Sequence, residues 1–155
     1  MNTCCFIGHR TIQETEELKQ QLRQVIERLI MGEGVHTFLF GSKSRFNDLC
    51  LETVTGLKQQ YPHIKRIYVR AEYPVIDKAY RSYLLQFYED TYYPDSAVNA
   101  GRAAYVERNQ EMIQKSRFCV IYCDEAHTPA RRKSGAKLAL AYARKQKKTI
   151  IQFPA

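Results

Sequence analysis

Short apolar runs, each closed by a small residue, alternate along this chain with amphipathic stretches several helical turns long. That alternation narrows the folds open to it more than any other feature. Thr3 to Ile7 is apolar and stops at Gly8. Leu18, Leu22, Val25, Ile26, Leu29 and Ile30 follow at helical spacing, and Gly32 and Gly34 end that helix. Val35 to Phe40 repeats the strand pattern up to Gly41. Ser44 then stands where it can cap a helix carrying Phe46, Cys50, Val54, Leu57 and Tyr61 on its apolar face. Pro62 stops that helix, and Ile64 to Val69 reads as a third strand. This β-α-β-α-β order calls for parallel strands joined by helical crossovers.

The stretch from Arg70 to Arg117 is too long for one crossover. It holds a Tyr-rich helical segment (Tyr80, Tyr83, Leu84, Phe87), a turn at Tyr93-Pro94-Asp95 and a second helix near Arg102 to Lys115. Phe118 to Tyr122 is the fourth strand, a helix spans about Ser134 to Lys147, and Thr149 to Phe153 is the last strand. The expected fold is a single α/β domain over residues 1–155. It is a Rossmann-like, doubly wound parallel sheet of about five strands in the order 3-2-1-4-5, with helices on both faces. Ligands of such sheets bind beyond the carboxyl ends of the strands where the winding reverses, here between the first and fourth strands.

Composition bears on partners. The chain has 24 Lys and Arg against 16 Asp and Glu, and the whole excess of eight falls after Glu125. A positive field confined to one loop and one helix points to a local anionic partner. The five cysteines include no Cys-x-x-Cys pair, so neither a disulfide framework nor a cysteine-pair zinc site is expected. Buried structural thiols are the reading for Cys4, Cys5 and Cys119. No apolar stretch reaches the ~20 residues of a membrane span, and the polar sequence after His9-Arg10 does not resemble a signal peptide. The expectation is a cytoplasmic protein with no membrane partner.

The candidate site residues follow the strands. Gly8-His9-Arg10 after the first offers a tight turn and two donors suited to phosphate or carboxylate. Otherwise Arg10 bridges surface carboxylates and His9 only packs. Gly41-Ser42-Lys43-Ser44 after the second brings hydroxyls and an ammonium to a helix N-terminus, as an anion site or as an ordinary cap. Neither a P-loop nor a Gly-x-Gly-x-x-Gly string occurs. Asp124 after the fourth strand either accepts from a sugar or base or merely opens a loop. Arg131, Arg132, Lys133, Ser134, Gly135 and Lys137 crowd cations at a helix start, against the macrodipole unless an anion sits among them. Arg108-Asn109, in mid-helix, either reaches the cleft or anchors a loop.

Cys5-Phe6-Ile7-Gly8-His9-Arg10, Arg108-Asn109 and Lys133-Ser134-Gly135-Ala136-Lys137, in this order, resemble the YpsA-like branch of the SLOG superfamily. That group comprises Rossmann-like relatives of the LOG phosphoribohydrolases and of DprA. The resemblance implies a nucleotide or nucleotide-derived small molecule in the cleft, in a sensing or signalling role with no required cofactor beyond the bound nucleotide or phosphate. Homodimers are common among these relatives. Where many SLOG proteins carry a glycine-rich loop, this chain has Gly41-Ser42-Lys43-Ser44-Arg45-Phe46-Asn47-Asp48. The LOG catalytic glutamate has no counterpart, because no acidic residue follows Glu125. A non-catalytic binding module is therefore expected ahead of a nucleoside-monophosphate glycosidase using Asp124, Glu125 or Glu72. Single-stranded nucleic-acid binding ranks last, since aromatic residues do not alternate with the basic cluster, which holds Tyr142 alone.

Overall fold

Backbone pairing in the computed structural model, which describes residues 2–126 and 134–154, builds one sheet of six parallel strands. They are β1 (Thr3–Gly8), β2 (Thr37–Phe40), β3 (Lys65–Val69), β4 (Asp90–Tyr92), β5 (Phe118–Tyr122) and β6 (Thr149–Phe153). Their order is β4-β3-β2-β1-β5-β6. Five of them are the anticipated strands in the anticipated order. The sixth, β4, extends the edge from inside the long connection, with Ile67 opposite Asp90 and Val69 opposite Tyr92. Three residues of mixed polarity carry no readable alternation.

The helices are α1 (Glu16–Glu33), α2 (Arg45–Lys58), α3 (Lys78–Leu84), α4 (Ala104–Gln114) and α5 (Gly135–Lys145). Thr15, Ser44, Asp77 and Ser134 cap α1, α2, α3 and α5, each accepting a hydrogen bond from a backbone N–H one turn on. Gly34 ends α1 in the left-handed region at φ 69°, where glycine carries no steric penalty. Gly32, expected at the helix end, lies inside it.

Alternating strand residues feed two cores. Cys4, Phe6, Phe38 and Phe40 face α1 and α2 and pack with Leu22, Ile26, Phe46 and Val54. Cys5, Ile7, Leu39 and Ile121 face the other way, against Met112 and Ile113 of α4 and Leu140 of α5. The sheet is thus doubly wound, and the winding reverses between β1 and β5. All five cysteines are buried free thiols. Among the described residues no helix is long and apolar enough to cross a membrane. Since all strands run one way, the segments after β1, β2, β3 and β5 and the N-termini of α2 and α5 share one rim.

Candidate functional site

At that rim β1 and β2 part early. Their pairing ends at Cys5 and Leu39, whereas β1 stays paired with β5 up to Gly8 and Tyr122. Parting leaves the Phe6 carbonyl and the Gly41 N–H without ladder partners, and the Asn47 side chain, only 4% exposed, serves both. Its Nδ2 donates to Phe6 O at 2.9 Å, and its Oδ1 accepts from Gly41 N at 3.1 Å. The Asn47 N–H in turn donates to the Ser44 cap, whose Oγ lies 3.0 Å from Ser42 Oγ. Asn47 was not anticipated. In sequence it is indistinguishable from any polar residue in a first helical turn, and only the parting of two strands gives it a role.

Gly41, Arg108, Asn109 and Gly135 come together. Arg108 is 3% exposed and reaches from α4 to donate through Nη1 to the Gly41 carbonyl, while Nε donates to Asn109 Oδ1 at 2.9 Å. Its guanidinium also lies 5.7 Å from the Tyr105 ring centroid. Asn109 Nδ2 is 3.9 Å from where a Cβ on Gly135 would stand, which brings the start of α5 to the same cluster. Burial holds the Arg108 guanidinium below its ordinary pKa, yet an arginine stays charged at neutral pH. Among the described residues no carboxylate pairs with it. Its Nη2 makes no hydrogen bond there, and among the described residues no sealed side-chain nitrogen lacks a partner, so Nη2 is not wholly closed off from solvent.

A second buried guanidinium sharpens the contrast. Arg70, just after β3, donates through Nε to Tyr73 O at 3.0 Å, through Nη1 to Thr91 Oγ1 at 3.0 Å and through Nη2 to Pro74 O at 3.3 Å. Every nitrogen is occupied in folding the following loop onto β4. Arg70 is structural, and Arg108 keeps one donor in reserve.

The other anticipated residues are distributed along the rim. His9 and Asp124 meet at the β1/β5 switch point, where Asp124 N donates to His9 Nε2 at 3.1 Å and the His9 ring lies 6.0 Å from that of Tyr122. Accepting through Nε2 leaves the imidazole proton on Nδ1. Arg10 is exposed, and among the described residues no hydrogen bond or ion pair engages its side chain; bridging of carboxylates falls instead to Arg45, which grips Glu14 at 2.6 Å and Glu52 at 3.3 Å. Lys43 turns toward β3 and pairs with Glu72 at 3.1 Å, a contact that holds its ammonium above the usual value. Ser134 caps α5 by accepting from Lys137 N at 3.0 Å. Arg131, Arg132 and Lys133 lie outside the described residues.

Gly8 and Gly41 owe their identity to packing. Neither has a positive φ; the glycines that do are Gly34 and Gly101. A Cβ on Gly8 would stand 2.6 Å from Phe46 Cγ and 2.7 Å from Phe46 Cβ, and one on Gly41 would stand 2.6 Å from Arg108 Cδ and 2.7 Å from Met112 Sδ.

No family model matches the chain, and no curated protein matches it. The chemistry of the rim is therefore read from its own atoms. Two of the carboxylates weighed as glycosidase groups are engaged: Glu72 by Lys43, and Glu125 by Gln152 at 3.0 Å and Arg144 at 3.3 Å. Gln152 and Arg144 hold the Glu125 carboxyl below its usual range, the opposite of what a general acid needs. Among the described residues no three His, Cys, Asp or Glu side chains gather where a metal ion would sit.

Proposed function

We propose that this chain binds a phosphorylated, nucleotide-derived small molecule at the rim beyond β1, β2 and β5, as a sensor without chemistry of its own. The observation carrying this reading is the buried Arg108 guanidinium, which among the described residues has two neutral hydrogen-bond partners, no carboxylate in contact (Glu72 acts on it only through space) and one donor without a hydrogen bond. A charge removed from water without a counter-charge is costly, so a site that keeps one is suited to an incoming anion. Ser42, next to Gly41, adds a short-range donor, and the α5 N-terminus with Ser134, Gly135 and Lys137 stands beside Asn109. His9, Asp124 and Arg10 would flank the sugar or the far phosphate. The resemblance of Phe6-Ile7-Gly8-His9-Arg10 to SLOG proteins supports the nucleotide class.

The test is a thermal-shift and calorimetry panel of AMP, GMP, a cyclic nucleotide and ADP-ribose on the wild type and on Arg108→Met. A binder at a hundredfold excess over its Kd stabilises the wild type by about 2.7 kcal/mol. Methionine preserves length and burial but leaves the Gly41 carbonyl without its Arg108 donor, so Arg108→Met should fold with a loss of about 1–3 kcal/mol. Its affinity should fall on the order of a hundredfold, as expected for a desolvated charge contact. Absence of a shift with every compound, or equal affinity in the variant, refutes the proposal.

Glu72→Gln should act in the opposite direction. Lys43 is 68% exposed on its side chain, so breaking this ion pair should change stability by less than ~1 kcal/mol. It removes a negative charge near the site and releases the ammonium. Calorimetric titration with the nucleotide that binds the wild type should show affinity raised several-fold.

A further inference from the structure

Between α2 and α3, on the opposite face of the sheet from α4, runs a groove of about 420 Å³. Tyr68, Tyr80, Tyr83, Phe87 and Tyr88 line its walls. Tyr68 of β3 and Tyr88 stack at 5.2 Å, and Tyr88 packs onto the core. The α3 rings are different. Tyr80 and Tyr83 lie 6.3 Å apart with planes 13° from parallel, and Tyr83 meets Phe87 at 5.4 Å. Tyr83 is 54% and Phe87 41% exposed. Leu51 and the Asp48 carboxylate of α2 also line the groove, and Ser42 and Lys43, just past β2, line its mouth at the rim.

That mouth adjoins the anion site. Ser42 and Lys43 directly follow Gly41, whose carbonyl holds Arg108. Burial pushes the Tyr68 phenol up while Arg108 and Lys43, close enough to act through space, pull it the other way. The polar rim and the aromatic groove therefore adjoin at Ser42 and Lys43.

We propose that the α2/α3 groove holds the base of the nucleotide, stacked on the Tyr83 and Phe87 rings, with its phosphate at Ser42 and Arg108. This rests on the anion-site reading and adds what that reading leaves open, the side of the sheet on which the base lies. Stacking on an exposed aromatic ring is tolerant of base identity, so purine preference over pyrimidine is expected to be modest. Each stacked base contributes about tenfold to a hundredfold in affinity.

The chain contains no tryptophan, so Tyr83→Trp places the sole indole in the groove. AMP should quench its fluorescence, and ribose 5-phosphate, which lacks a base, should bind to the same protein without quenching and about tenfold or more weakly. In the Tyr83→Leu, Phe87→Leu double variant AMP should fall to the affinity of ribose 5-phosphate, whose own binding is unchanged. Both positions are exposed, so neither substitution threatens folding; near-wild-type melting of each variant checks this. AMP that binds without quenching, and equally well in the double variant, overturns the groove assignment and leaves the anion site standing. Failure of both AMP and ribose 5-phosphate to bind overturns the two together. Quenching by an oligonucleotide but not by AMP, with steep salt dependence, overturns it in favour of a nucleic-acid strand.

Discussion

Gly8→Ala should destabilise the protein by roughly 3 kcal/mol, the upper part of the usual range for overpacking. The added methyl would stand 2.6 Å from Phe46 Cγ, and Phe46 is fully buried between α2 and the sheet. Phe46 in turn packs on Tyr122, ring centroids 5.4 Å apart, so it cannot withdraw without opening the first core. For a chain of this length such a loss lowers Tm by roughly 6–12 °C, a shift readable by differential scanning calorimetry. Gly41→Ala is the informative comparison. Its methyl meets the Arg108 stem and Met112 Sδ, which are parts of flexible side chains. A smaller loss of stability is expected there, together with weaker anion binding as Arg108 is displaced. If Gly8→Ala melts with the wild type, packing does not explain the glycine, and close approach of a ligand regains its place as the reason.

Asn47→Ala should cost roughly 2–6 kcal/mol by leaving the Phe6 carbonyl and the Gly41 N–H unpaired, at about 1–3 kcal/mol for each buried orphan. Asn47→Asp should be no milder, since a carboxylate accepts from Gly41 N but cannot donate to Phe6 O. Urea unfolding gives the magnitude. The location is given by amide hydrogen exchange, which should accelerate at Gly41 well beyond the global change in stability. An effect spread evenly over all six strands would contradict the role assigned to this side chain. With total stability of a domain near 5–15 kcal/mol, either variant removes a large part of it.

What was legible in the sequence follows from the range of the forces involved. Strands β1, β2, β3, β5 and β6 are marked by short apolar runs of the kind parallel strands carry, α1 and α2 by an apolar stripe, and α2 also by its serine cap. β4 was not legible, because Asp90-Thr91-Tyr92 becomes a strand through β3 and the Arg70 guanidinium on Thr91. The same division runs through the site. Gly41 reads as a strand end within an anion site or cap and Arg108 as reaching the cleft or anchoring a loop, but their contact joins positions far apart in the chain. Lys43 and Glu72 were each noticed and not paired, because the turn that brings them together is itself built by Arg70. Asn47 left no signal beyond a polar residue after a serine cap.

The central strand has a bearing on how this molecule is made. β1 completes one flank by pairing with β2 nearby, but its other flank waits for β5, with Cys5 beside Cys119, over a hundred residues later. Emerging from the ribosome, the segment β1 to β4 can assemble early, while the apolar strand Cys4 to Ile7 stays open along one side until β5 has been synthesised. Closing so long a loop is slow because its entropy is lost before the contacts form. The interval before β5 arrives is thus when the nascent chain is most exposed to mispairing and most dependent on chaperones.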